Sequence, residues 1–275
     1  MPSRSKSRVR GSEPAVRTPQ FADSSGPSPQ FSRFAPVYDR FMNRYVNYPG
    51  WVQYVQRIFR YYGCRPNLLL DLACGTGVPT LLLAREGYRL IAVDRSEAML
   101  SVLADKVNDF DIRLIRSDMR DFSLPEPVDA GICLYDSMNY LLTEDDLTRC
   151  LRSVCRALKP EGLFAFDMNT IHGLATLWGD RRSIRDVEDV HSVWDTTYDP
   201  ETRISSLHLM FSVQGKAHRQ TGPTHLEVHE ERGYTIDEVV AALVKAGFQR
   251  NDFLQHGTFQ PPGPTTTRMM VVARP

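Results

Sequence analysis

Short apolar runs alternate with helix-spaced apolar positions through the middle of the chain, a pattern that predicts an α/β fold. Leu68-Leu69-Leu70-Asp71 reads as a buried strand ending in an acid, followed by a turn containing Gly75 and Gly77. Residues 78–84 then open a helix with Pro79 in its first turn, where a missing N–H costs nothing. Residues 88–94 repeat the theme, a second buried strand ending at Asp94. Ser96 can cap the next helix, whose Met99, Leu100, Leu103 and Val107 form one stripe. Residues 111–116 and 128–134 read as the third and fourth strands. Thr143-Glu144-Asp145-Asp146 caps a helix that turns Leu147, Leu151, Val154 and Leu158 inward. A turn over 159–162 then leads to a fifth strand at 163–167. Short crossovers between so many strands imply a doubly wound, mostly parallel sheet.

The texture differs on either side of this core. Phe34-Ala35-Pro36-Val37-Tyr38-Asp39 leads into a helical spacing of Trp51, Val55, Ile58, Phe59 and Tyr62. After residue 180, three runs (182–194, 203–213 and 224–228) alternate with period two, with a turn at 198–202. They predict three antiparallel strands inserted as a flap. Thr235-Ile236-Asp237-Glu238 reads as a capping box opening the helix 239–246, which Gly247 closes. Runs at 248–255 and 268–273 complete a seven-stranded sheet as a terminal antiparallel hairpin. The expected organisation is a tail over 1–30, a helical lid segment over 31–65, a core over 66–178, a β-flap over 180–232 and a closing helix and hairpin over 233–275.

Composition narrows the function classes. Apolar residues make up 42% of the 275-residue chain, enough for a full core. Lys+Arg and Asp+Glu balance at 33 each, so no global basic field favours nucleic acid. Residues 1–30 are rich in Arg, Ser and Pro, with only Glu13 and Asp23 as acids, and are expected to be a disordered basic tail. The five cysteines form no C-x-x-C pair, no apolar run reaches membrane-span length and no signal-peptide core is evident. A cytoplasmic monomer or homodimer without membrane or nucleic-acid partners is the expectation. His225, Glu227 and His229 share one face of a strand, but Leu226 and Val228 are expected to face the core. The trio then falls on the solvated side, and no metal site is expected.

The candidate chemistry centres on the turn after residue 72. A dinucleotide fingerprint calls for a third Gly or Ala where this chain has Thr80, and the Lys-Ser/Thr of a P-loop is absent. The acid at the strand end, Asp71, suits an ammonium group better than a pyrophosphate. Asp94 follows 23 residues later, the interval of a ribose-binding carboxylate, and Asp118-Met119 at the third strand's end suits an adenine edge.

Asp71-Leu72-Ala73-Cys74-Gly75-Thr76-Gly77 resembles motif I of the class I (Rossmann-like) S-adenosylmethionine-dependent methyltransferases. The Phe-Ala-x-x-Tyr-Asp segment and the β-flap are similar to a small-molecule sub-group that includes amino-sugar N,N-dimethyltransferases. The resemblance implies S-adenosylmethionine as cofactor and a small-molecule methyl acceptor, methylated on N or O. It assigns Asp71, Ala73, Gly75 and Gly77 to the methionine half, Asp94 to the ribose, and Asp118 with Met119 to the adenine, with Arg95 and Met99 beside them. Tyr135, Asp136 and Ser137 become the floor at the methyl group. Tyr38 and Tyr140 become the catalytic pair at the acceptor, Tyr140 standing where the sugar enzymes carry a histidine. Trp51, Trp178 and Arg181 border the acceptor. An NAD(P)-type oxidoreductase on a similar fold, or a non-catalytic S-adenosylmethionine-binding module, remain the alternatives.

Overall fold

The computed structural model describes residues 26–214 and 222–275. Residues 1–25 of the expected tail lie outside the described residues. Two lid helices, α1 (Ala35–Met42) and α2 (Tyr48–Tyr61), precede an alternating series: β1 (Leu68–Leu72), α3 (Val78–Arg85), β2 (Arg89–Asp94), α4 (Glu97–Ala104), β3 (Ile112–Arg116) and β4 (Val128–Cys133). Next come α5 (Glu144–Ala157), β5 (Leu158–Asn169) and α6 (Ile171–Leu177). A separate sheet of β6 (Arg181–Val187), β7 (Val190–Asp199), β8 (Ile204–Val213) and β9 (His225–Arg232) precedes α7 (Ile236–Ala246), β10 (Arg250–Gln255) and β11 (Arg268–Arg274).

The main sheet has seven strands in the order β10-β11-β5-β4-β1-β2-β3. Five run parallel, and β11 lies antiparallel to both β5 and β10. This is the predicted doubly wound sheet with its terminal hairpin. Successive β1 side chains serve opposite faces: Leu70 and Leu72 pack with α5 and α7, while Leu69 packs with α2 and α3. Both faces are therefore dry, which is why the strands read as continuous apolar runs rather than alternations. The predicted caps form. Ser96 accepts from Met99 N–H at 3.2 Å and Thr143 from Asp146 N–H at 3.1 Å. The Thr235/Glu238 capping box is complete, and Gly247 ends α7 at φ 108°.

Two expectations need correction. The flap has four strands, because 182–194 is a hairpin whose turn holds Glu188 at φ 54°. Period-two alternation runs on through so short a turn and hides the reversal. Residues 159–162 are also part of β5 rather than a free turn, with a register irregularity against β4 at 128–130.

Residues ahead of α1 form a strap along the flap. Ser28 N–H donates to the Leu226 carbonyl at 2.9 Å, so this contact begins before Phe31. Among the described residues no helix is long and apolar enough to cross a membrane.

Candidate active site

The carboxyl ends of β1, β2, β3 and β4 open onto a cavity of about 620 Å³, roofed by α1, the strap and the flap. Open α/β sheets place ligand sites at this end, where the strand order reverses. Here the reversal falls between β1 and β4, on either side of the Asp71 loop.

Asp71 is 2% exposed, and among the described residues its only side-chain partner is the Thr80 hydroxyl, which donates at 2.5 Å. Burial pushes its carboxyl up to about 7; the Thr80 hydrogen bond lowers it and nearby Asp94 raises it. A buried carboxylate on the cavity wall with one neutral donor lacks a cation. The two glycines of the loop do different work. Gly75 (φ 55°) lines the cavity and has open space where a Cβ would stand. Gly77 (φ 75°) is outside the lining, and a Cβ there would lie 2.2 Å from the Leu103 side chain of α4. Gly77→Ala is thus expected to cost about 2–4 kcal/mol from left-handed strain and overpacking, read as a lowered urea midpoint.

Asp94 braces the loop: its Oδ2 accepts from Gly75 N–H at 2.8 Å and its Oδ1 from Ser96 N–H at 2.7 Å. Burial raises its carboxyl, and those N–H donors oppose the rise. Asp118 is already engaged, accepting from Arg120 Nε at 2.9 Å and Nη2 at 2.7 Å. That ion pair holds its carboxyl below the usual range. Asp39, in the Tyr-Asp of the lid segment, clips α1 to the loop through the Thr76 hydroxyl and Lys106 Nζ, the latter at 2.6 Å.

The floor is a polar knot. Tyr135 and Asp136 are consecutive left-handed residues, φ 60° and 54°. Such geometry costs about 1–2 kcal/mol per residue and persists only where neighbours enforce it. Asp167 does so, accepting from Tyr135 N–H at 2.7 Å and Asp136 N–H at 3.0 Å. Arg268 donates to both Asp136 and Asp167. Burial lifts Asp167 to about 6 although Arg268 pulls it down. Glu231, from β9, has Asn169 Nδ2 as its donor at 2.9 Å, and burial followed by the charge of Asp136 raises its carboxyl well above the usual range.

Of the residues singled out from sequence, Tyr38, Tyr140, Asp71, Ala73, Gly75, Asp94, Arg95, Met99, Asp118, Met119, Tyr135, Asp136, Ser137, Trp51 and Trp178 all line this one cavity. Gly77 acts behind it. Arg181 is exposed at the outer end of β6, paired with Thr196, and does not line it.

The expectation for the flap's polar face is reversed. Glu227 is fully buried and His229 is 5% exposed, while Leu226 and Val228 are only half-buried. The strap covers the polar face: Glu227 Oε1 accepts from the N–H groups of Ser32, Arg33 and Phe34 at 2.8–3.1 Å, and Oε2 from Phe31 N–H at 2.8 Å. His229, Glu231 and Arg268, none of them foreseen, reach the cavity. The available signal was the run of His and Glu at alternate positions from 225 to 231. Among the described residues no group of three or more His, Cys, Asp or Glu is arranged to hold a metal ion.

Known proteins are similar to this chain in sequence and fold. A methyltransferase domain family matches residues 69–162. "Putative methyltransferase YqeM" of Bacillus subtilis (strain 168) is 30% identical over 248 residues, covering 89% of this chain and 96% of that protein. The dTDP-3-amino-3,4,6-trideoxy-alpha-D-glucopyranose N,N-dimethyltransferase of Streptomyces venezuelae is 28% identical over 81% of this chain and 92% of its own. The crystal structure of an S-adenosylmethionine-dependent methyltransferase from Clostridium acetobutylicum ATCC 824 superposes with a TM-score of 0.78 at 26% identity, covering 88% and 97% of the two chains. The chain belongs to the class I S-adenosylmethionine-dependent methyltransferases. Its cofactor is S-adenosylmethionine, and the cation-deficient Asp71 beside the open Gly75 fits the amino-acid end of that molecule.

Proposed function

We propose that this methyltransferase acts on the nitrogen of a small-molecule amine, which it receives as an ammonium ion. The carrying observation is Glu231: a carboxyl buried in the cavity wall whose neighbour Arg268 is already committed to Asp136 and Asp167. Three carboxyl groups around one guanidinium leave the floor short of positive charge. Aromatic faces surround the same space, with Tyr38, Tyr48, Trp51, Tyr135 and Tyr140 on its walls. Ring faces and carboxylates together select a cation. The Streptomyces venezuelae relative, named for dimethylating an amino sugar, supports the same acceptor chemistry.

Asp71 would hold the ammonium of S-adenosylmethionine, Asp94 the ribose hydroxyls and Asp118 with Met119 the adenine. The bound cofactor supplies a methyl group already activated on a sulfonium sulfur. What remains for the chain is alignment, exclusion of water and removal of a proton from the acceptor. The lid segment and the flap form the acceptor side, where the Trp51 ring packs 4.3 Å from the Tyr135 ring. A cavity of about 620 Å³ suits a small acceptor together with the cofactor, and a nucleic-acid duplex does not fit it.

The test is a matched pair of probes, phenethylamine and 2-phenylethanol, followed by S-adenosylhomocysteine release. Methylation of the amine and not the alcohol is expected. Glu231→Gln should raise KM for the amine about 10- to 100-fold through loss of one charged contact, with cofactor affinity unchanged. Turnover of the alcohol alone, or an unchanged KM in the variant, contradicts the proposal.

A further inference from the structure

The flap delivers a histidine whose two ring nitrogens both face functional groups. His229 Nδ1 lies 3.2 Å from the Tyr140 hydroxyl across the cavity wall. Its Nε2 lies 3.3 Å from Glu227 Oε2, within ion-pair distance but without hydrogen-bond geometry. Burial alone would raise the Glu227 carboxyl, but His229 and the N–H groups of Phe34 and Phe31 outweigh it and hold it below the usual range. An ionised Glu227 beside Nε2 favours the tautomer that keeps the ring proton on Nε2, which leaves the Nδ1 lone pair for Tyr140. The Tyr140 hydroxyl then donates to Nδ1 and keeps its own lone pairs for the cavity. Phe31 closes the outer side, its ring centre 4.7 Å from His229 and 5.5 Å from Tyr140.

We infer that Tyr140, His229 and Glu227 form a proton relay that strips the acceptor ammonium, a role that rests on the amine reading above. A proton leaves the ammonium nitrogen for the Tyr140 oxygen as the Tyr140 hydroxyl proton passes to His229 Nδ1. The nitrogen keeps its electron pair for attack on the methyl group, and Glu227 balances the imidazolium. The proton is lost to solvent when product leaves. Tyr140 touches the acceptor; His229 and Glu227 act through it. The other groups facing the pair are Glu231 on β9, Asp136 after β4, Tyr38 on α1 and Arg95 after β2.

This relay comes from the flap, 89 residues from Tyr140 in sequence, and not from the segment after the fourth strand. It also gives the strap a part in the chemistry, because the carboxylate that holds residues 31–34 is the one that supports His229.

The experiment uses the full chain with S-adenosylmethionine and two probes, strongly basic phenethylamine and weakly basic aniline. His229→Gln should lower kcat/KM for phenethylamine by about 100- to 10,000-fold at neutral pH, with activity recovering as rising pH frees the amine. Aniline, which needs no base, should lose less than about tenfold. In the acceptor-free and cofactor-free protein, nitrogen NMR should find His229 Nδ1 unprotonated and hydrogen-bonded, with its resonance moved by Tyr140→Phe. An equal loss on both amines at every pH, or an Nδ1 resonance indifferent to Tyr140→Phe, overturns the relay and leaves the amine reading standing. A wild-type enzyme that methylates 2-phenylethanol and neither amine overturns both.

Discussion

Asp71→Asn is expected to weaken S-adenosylmethionine binding by about 30- to 1,000-fold, roughly 2–4 kcal/mol, while raising the melting temperature of the cofactor-free protein. The two effects have one cause. Burial lifts the Asp71 carboxyl from its ordinary 3.8 to about 7 in the folded chain. A carboxyl raised on folding contributes stability that is full below its unfolded value and is lost as pH rises through its folded value. At pH 8 the cofactor-free protein therefore carries a buried charge that costs on the order of 4 kcal/mol. Asparagine keeps the shape and an acceptor for the Thr80 hydroxyl without that charge. The gain in melting temperature should be several degrees at pH 8 and should shrink toward pH 5, where Asp71 is itself neutral. If the cofactor's ammonium supplies the missing cation, as proposed, wild-type affinity should fall as pH drops below about 7. Calorimetry across that range, with and without S-adenosylmethionine, measures both. Equal melting curves at pH 8 together with unchanged affinity would mean that Asp71 only terminates a strand.

Glu227→Ala should detach the strap. Four backbone N–H groups, from Phe31 to Phe34, converge on this one carboxylate. Removing it leaves buried donors without a partner and the His229 ring without its anion, a loss of about 3–5 kcal/mol for a broken buried charge contact. Hydrogen exchange should show protection lost at residues 28–34 before the main sheet opens, since the strap is tied down chiefly here. Glu227→Gln, which retains one acceptor oxygen, should fall between the two. The pH dependence has the opposite sign to that of Asp71. The Glu227 carboxyl is lowered on folding, so its contribution is complete above the ordinary glutamate value of about 4.3 and fades only as pH falls through the lower folded value. Strap amides that stay protected in Glu227→Ala would show that the remaining contacts, the Ser28 N–H on the Leu226 carbonyl, the Ser96 hydroxyl on the Phe31 carbonyl and the Phe31 and Phe34 rings, hold the strap without it.

Much of the core was legible because its signals are local. Continuous apolar runs bounded by Asp71 and Asp94 mark strands buried on both faces, and the caps at Ser96, Thr143 and Thr235 depend on residues three positions apart. The loop glycines could be located but not told apart. That Gly75 faces a cavity while Gly77 meets Leu103 depends on where α4 packs. Arg181 was expected to border the acceptor with Trp178, yet strand pairing with Thr196 carries it to the outer edge.

The flap shows most clearly where sequence information ends. Alternation from residue 225 established by itself that His225, Glu227 and His229 share a face, because side chains in a strand repeat every second residue, and the longer observed β9 extends that face to Glu231. Which of the two faces is buried is not a property of the strand. The strap settled that, through contacts between residues nearly two hundred positions apart, such as Phe31 N–H on Glu227. Apolar Leu226 and Val228 would ordinarily win the interior, but a carboxylate that receives four N–H donors loses its desolvation cost and can be buried instead. The sequence alone determined the sheet, the cofactor loop and the family resemblance. The tertiary structure alone decided that a histidine and two glutamates from the flap are buried in the cavity wall and behind it, because only folding brings the donors that make their burial affordable.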